Sequence, residues 1–204
     1  MNLVQTEVEK LISKYSTGKY LDVLKEPKEV FIEKTGKIDE DSEEYESRMG
    51  SFNDWYLFQY EYKEDMTMID YHLKQTTKPS EVELALATCV YSLFVFHKIN
   101  FRKQVVIKDI LHDEKKVLSN ENGNLPLVED DVFVGRMVTY NDQNYILNGL
   151  CILPTPILSA LKKQSKKVRK NKSLDETEFL LNLERLKTKS IQYGHIDPSQ
   201  IFIF

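Results

Sequence analysis

Between Cys89 and Pro154 the chain repeats one pattern: a short apolar run, then a break built from Asp, Asn, Gly, His or Lys. The runs read CVYSLFVFHKI, VVIKDIL, KKVLS, DDVFVGRMVTY and NYILNGLCIL. Short β-branched and aromatic segments separated by turn-formers are strands of an antiparallel sheet or small barrel. The pattern therefore predicts an α+β protein. A helical region over 1–88 packs on a small antiparallel β-barrel or strongly curved sheet over 89–156. A basic link, a C-terminal helix and a tail over 157–204 fold back on the same globular unit.

The flanking segments carry helical signals. Val4, Val8, Leu11, Ile12 and Tyr15 share one face of a helix over 2–16, which Gly18 ends. Shorter helices are expected over 19–24 and 29–34. The six acidic side chains between Asp39 and Glu46 read as a loop or a solvated first helical turn. SFNDWYLFQYEY, from Ser51 to Tyr62, is the densest aromatic segment. As a helix capped by Ser51 it puts Phe52, Trp55 and Tyr56 in the core, where Phe94 and Phe96 of the sheet join them. MIDYHL is a short helix, and its His72 a packed or surface imidazole. Ser80 and Glu83 form a capping box that opens a helix running to Tyr91 or Ser92.

Within the sheet, Phe101–Lys103 reads as a polar turn, and Asn141–Asp142 as a hairpin turn. Gly135 is expected to mark a bulge or bend. After Pro154 and Pro156 come a short helix, then KKQSKKVRKNK over 162–172, with seven basic residues and no acidic one. Ser173 and Glu176 read as a second capping box opening the last helix. Ile201–Phe204 is either a strand docked on the domain or a groove-binding peptide.

Composition bounds the function classes. With 204 residues, 41 % hydrophobic and 29 % charged, the chain buries a full core. No apolar run reaches membrane-spanning length, and MNLVQTEVEK lacks the basic and apolar regions of a signal peptide. Cys89 and Cys151 lie in apolar runs and read as buried, reduced thiols of a cytoplasmic protein. The net charge of −4 argues against generalised nucleic-acid binding.

Catalytic signatures are absent: no HExxH, CxxC, P-loop, GxGxxG or GxSxG occurs. An enzyme would have to assemble its site in space, and His97, Asp109 and His112 are candidates for a general base or metal pair. Arg136, among apolar strand residues, needs a carboxylate or an anion. Neither a cofactor nor a metal is implied. Lys166, Lys167, Arg169 and Lys170 are the candidate anion-binding residues.

FNDWYLFQY, MIDYHL, the run into YSLFVFHKI, then VVIKDIL, DDVFVGRMV and YILNG together resemble an uncharacterised bacterial protein family. Its pattern is an aromatic F-x-x-W-x-x-F helix followed by a small β-barrel-like region, and the resemblance covers residues 50–153. Gln59 stands where that family has an acidic residue, and Asp130–Asp131 replaces a Gly-Asp turn. Some members carry a C-terminal cysteine metal-binding module that has no counterpart in this sequence. The resemblance implies no activity. The expected function is a soluble protein-interaction or structural module with a protein partner and no membrane. The alternatives are weak single-stranded nucleic-acid binding through 162–172, absent near physiological salt, or a hydrolase-like or metal-dependent enzyme using the His/Asp cluster.

Overall fold

The computed structural model describes residues 2–37, 39–122, 125–171 and 173–204. Helix α1 (Leu3–Tyr15) is capped by Asn2, whose side chain accepts the Gln5 N–H at 2.8 Å. It buries Val4, Val8, Leu11 and Tyr15, one helical stripe. Helix α2 (Lys25–Thr35) holds Pro27 in its first turn, where a missing N–H costs nothing. It ends at Gly36, at φ 85°. A Cβ there would sit 2.9 Å from Thr188 Cγ2, so both backbone conformation and space require glycine.

Helix α3 (Tyr45–Phe58) starts well before Ser51, which is a buried interior residue and not a cap. Phe52, Trp55 and Tyr56 are buried. Phe31 and Tyr60 each lie 5.4 Å from the Trp55 ring. The end of the aromatic segment leaves the helix for a two-stranded ribbon, β1 (Glu61–Lys63) and β2 (Met66–Thr67). Helices α4 (Met68–Gln75) and α5 (Glu81–Leu86) each open on a capping box, Thr67/Asp70 and Ser80/Glu83.

Helix α5 stops earlier than its propensity suggests, and strand β3 (Val90–Ile99) takes over at Val90. The reason is tertiary. Val90 to Val95 pair residue by residue with Met137 to Val132 of β6 (Val132–Tyr140), and that ladder supplies the backbone partners a longer helix would have. With β4 (Val105–Asp109), β5 (Glu114–Val117) and β7 (Gln143–Ile146) the order is β5-β4-β3-β6-β7. Strand β8 (Cys151–Leu153) pairs with the start of β6. A bridge between Leu118 and Asn144, with the Ser119 N–H donating to the Asn144 carbonyl at 2.9 Å, draws β5 towards β7. The result is a strongly curled antiparallel half-barrel.

The bulge that bends it lies at His97, where the β3–β4 register shifts between Phe96 and Lys98. Gly135 instead pairs regularly with Ser92. It is small because a Cβ there would meet Leu150 Cδ2 at 3.0 Å. The β6–β7 hairpin turns on Asn141 and Asp142 at φ 50° and 58°, the two-residue turn with both central residues left-handed.

Inside the curl pack Phe94, Ile107, Phe133, Met137, Ile146 and Leu150. The outer face, with Leu93, Val95, Val132 and Val134, lies under α6 (Leu158–Lys170), α7 (Glu176–Gln192) and α8 (Pro198–Ile201). The basic segment is therefore mostly not a link: α6 continues through Lys170 and buries Leu161, Ser165 and Val168. Lys172 lies outside the described residues. Asp175, not Ser173, caps α7, accepting from the Thr177 and Glu178 N–H groups. The short helix α8 ends at Ile201, and Phe202–Phe204 beyond it form no strand, with Phe202 buried in the outer-face core.

Candidate functional site

At the hairpin end of β3 and β4 the curl stays open. A groove of about 570 Å³ is lined by Phe96, Ile99, Val105, Leu118, Leu125 and Leu127, with Arg102 and Lys103 as its charged groups. The tip is held rigidly, because Asn100 Oδ1 accepts the N–H groups of Arg102 and Gln104, each at 2.9 Å. This fixed turn leaves Phe101 93 % exposed and Ile99 61 % exposed. Val128 is 68 % exposed, on the loop that Asp130 N–H ties to the Phe96 carbonyl at 3.0 Å. No ion pair among the described residues involves Arg102 or Lys103. The sequence reading treated 101–103 as a polar turn and missed this surface. Its one signal was an aromatic residue where a turn calls for Gly, Asn or Asp.

Arg136 lies on the opposite, helix-covered face and is fully buried. Its Nε donates to Gln59 Oε1 at 2.7 Å, its Nη2 reaches the same oxygen, and its guanidinium lies 4.1 Å from the Tyr91 ring centroid. Nη1 has no hydrogen-bond partner among the described residues. Close by, Asp54 Oδ2 accepts the Gly149 N–H at 3.2 Å. A Cβ at residue 149 would lie 2.3 Å from that oxygen, so only glycine allows the approach. Burial pushes the Asp54 carboxyl up to about 6, against the opposing pull of the Arg136 charge and the Gly149 N–H.

The outer-face seam continues through Glu184, 1 % exposed. It accepts from Arg48 at 2.7 Å, from Tyr91 at 2.8 Å and from Ser51 at 3.1 Å. Four elements, α3, β3, β6 and α7, thus meet on buried polar groups. Gln59, Asp54 and Glu184 carry no sequence motif that announces this.

Asp109 and His112 do come together. Asp109, 2 % exposed, accepts from Ser92 Oγ at 2.7 Å and from the Leu111 and His112 N–H groups. His112 Nδ1 lies 2.8 Å from Asp109 Oδ2, and its Nε2 lies 3.2 Å from Glu176 Oε2. Burial pulls the imidazole down, but the Asp109 hydrogen bond and charge, then those of Glu176, outweigh it and hold the pKa above the usual histidine value. A ring between two carboxylates suits the doubly protonated form. His97 lies at the bulge towards the open end, and no hydrogen bond among the described residues joins it to this pair. Ser92 is fully buried, so it is no nucleophile for a substrate.

His72 forms a second buried chain. The Lys14 ammonium, 3.1 Å from Nδ1, can only donate, so Nδ1 accepts and Nε2 carries the proton. Nε2 donates to Glu83 Oε1 at 2.7 Å. Burial raises the Glu83 carboxyl, but the bonds from His72 and Ser80 overcome it and bring it to about 2. Burial pushes the Cys89 thiol up to about 12 and raises that of Cys151 as well, so both are poor nucleophiles at neutral pH.

Lys166, Lys167, Arg169 and Lys170 all lie exposed on α6. Among the described residues no three potential ligands group as a metal site. No helix among them is long and apolar enough to cross a membrane.

An antiparallel half-barrel with helices over its outer face and an open apolar end defines the class of fold. The model of a family of unknown function (DUF7986) matches residues 4–180, and the chain belongs to that family. No curated protein and no solved structure matches it.

Proposed function

We propose that the chain is a protein-interaction module whose open-ended groove takes an extended acidic peptide with apolar anchors, contributed by a partner protein. The observation that carries this is the rigid hairpin tip. Asn100 orders a turn that nevertheless holds Phe101 and Ile99 in solvent beside a groove of mixed apolar and polar lining. Clustered exposed apolar side chains on an ordered frame mark interaction surfaces. Both charged residues lining the groove are cations with no ion pair among the described residues, Arg102 lying 5.7 Å from the Phe101 ring, which favours Asp- or Glu-bearing partners. The two free thiols fit the cytoplasm, where disulfides do not persist.

The catalytic alternative has less support. Asp109 is buried and held by four donors, Arg136 lies under the helices, and the groove is lined by neither.

The test is selection from a displayed random-peptide library against the folded chain. Enriched peptides should combine aliphatic or aromatic residues with flanking acids. They should lose binding to Ile99→Ser/Phe101→Ser and to Arg102→Glu/Lys103→Glu variants. No enrichment, or peptides indifferent to both variants, would remove the groove from consideration.

A further inference from the structure

A second surface, independent of the groove, carries its own chemistry. On α6 the six basic residues Lys162, Lys163, Lys166, Lys167, Arg169 and Lys170 are all exposed, while Leu161, Ser165 and Val168 are buried. At about 100° per residue the basic positions fall within one side of the helix. They are four, three and one residue apart, so lysines stand next to lysines and repel one another. Only Arg169 has an ion-pair partner among the described residues, Asp113 at 3.7 Å.

Asp113 also joins this face to the sheet. It pairs with Lys108 at 2.6 Å, and the Lys108 hydrogen bond and charge, then the Arg169 charge and least the Lys166 charge, hold its carboxyl below the usual range. Lys108 in turn lies directly across the β4–β5 ladder from Lys115. Asp113 offsets the Lys108 charge, whereas Lys115 has no ion-pair partner among the described residues. The basic band thus runs from α6 over the Asp113 turn to the outer face of β4 and β5, on a chain whose net charge is −4.

From this we infer that the α6 band is a nucleic-acid contact surface that binds the phosphate backbone of a duplex. Self-repulsion along a rigid helix is relieved when phosphates replace the counterions. Single-strand recognition needs aromatic platforms beside the basic track. Here α6 itself carries no aromatic side chain, Phe94, Phe96, Phe133 and Tyr145 of the strands are buried, and the exposed Phe101, Tyr193 and Phe204 belong to the far hairpin and to the segments after α7 and α8. The backbone is therefore the recognised element, and base identity is not read.

The experiment is fluorescence anisotropy with a labelled duplex of about 20 base pairs, from about 20 mM to 150 mM salt. The wild-type chain should bind at low salt and lose affinity steeply, with a log–log slope near −5 if about six phosphates are met. A 20-nucleotide single strand should bind no tighter than the duplex. Lys162→Gln/Lys163→Gln/Lys166→Gln/Lys167→Gln/Lys170→Gln should lower low-salt affinity at least tenfold and flatten the slope. Lys108→Gln/Lys115→Gln should lower it less, and the control Lys19→Gln/Lys63→Gln/Lys78→Gln should leave it unchanged. Should the five-fold variant fail to fold, Lys166→Gln/Lys167→Gln gives a smaller loss on the same reading. The inference is overturned by no binding at the lowest salt, or by binding that survives both α6 variants. It is equally overturned if polyglutamate displaces the duplex as well as unlabelled duplex does, or if anionic phosphatidylserine vesicles do, since the band would then belong to an acidic protein or a membrane.

Discussion

The helix-covered face and the open end of the sheet are finished by opposite means, although β3 contributes to both. Under the helices, charge is taken inside and tied: Arg136 to Gln59 and Tyr91, Glu184 to Arg48, Ser51 and Tyr91. At the open end, apolar groups are left outside and Arg102 and Lys103 have no ion pair among the described residues. Buried charge costs desolvation that its partners only partly return. Exposed aromatics gain nothing from the fold. Each region departs from the rule that apolar groups go in and charges out. The first departure is met within the chain by specific partners, except at Arg136 Nη1, which has none among the described residues. The second finds no ion pair among the described residues, only the Arg102 guanidinium 5.7 Å from the Phe101 ring, and it is the region the proposed partner would cover.

Four measurements would break or sharpen this contrast. Glu184→Ala strands Arg48 and the Tyr91 hydroxyl under α7, and should cost about 3–5 kcal/mol in chemical denaturation. A cost under about 1 kcal/mol would mean that the seam is not what fastens the helices to the sheet. Trp55→Ala, which empties the space between Phe31 and Tyr60, belongs in the same range of about 3–5 kcal/mol. An unchanged denaturation midpoint would take Trp55 out of the core.

Asp54→Asn acts through pH. The folded-state pKa of about 6 lies above the ordinary 3.8, so the stabilising contribution is complete below about pH 4 and is lost as pH rises through 6. Roughly 3 kcal/mol of pH dependence should follow across that window, and it should vanish in the Asn variant. Stability that stays flat in the wild type between pH 4 and 7 would contradict the buried placement. At the small end, Ile99→Ser/Phe101→Ser should shift stability by no more than about 0.5 kcal/mol. A large loss there would show that the tip supports the fold, and the contrast between the two regions would collapse.

Much of the fold was legible because periodicity and turn chemistry are local. The strand runs, the Asn141–Asp142 turn, the Ser80/Glu83 box and the stripe of α1 all follow from neighbours within four residues. Most errors came where distant residues decide, and the α7 cap was a local choice between neighbouring candidates. The α5 end was set by β6 pairing with Val90 and Tyr91, the bend fell at His97 and not Gly135, and Asp175 displaced Ser173 as the cap of α7. Of the candidate site, Asp109 and His112 were within reach, being three residues apart on one turn. The Gln59–Arg136 contact spans 77 positions and Arg48–Glu184 spans 136, separations over which no sequence pattern acts. The groove was invisible for a different reason: sequence reports that Phe101 is apolar but not that it is left outside.

Arg136 has a consequence before the fold exists. VFVGRMV is strand-forming, apolar and, apart from that guanidinium, uncharged, the composition that assembles into intermolecular β-structure when unfolded chains meet. A permanent cation in its middle makes stacking of one copy on another unfavourable. Within the folded chain the same cation is held by the amide oxygen of Gln59, just past α3, and by the face of Tyr91, which become available only when the correct partners have docked. The residue thereby penalises the wrong association and is accommodated by the right one, so an Arg136→Met variant should aggregate during refolding at concentrations the wild type tolerates.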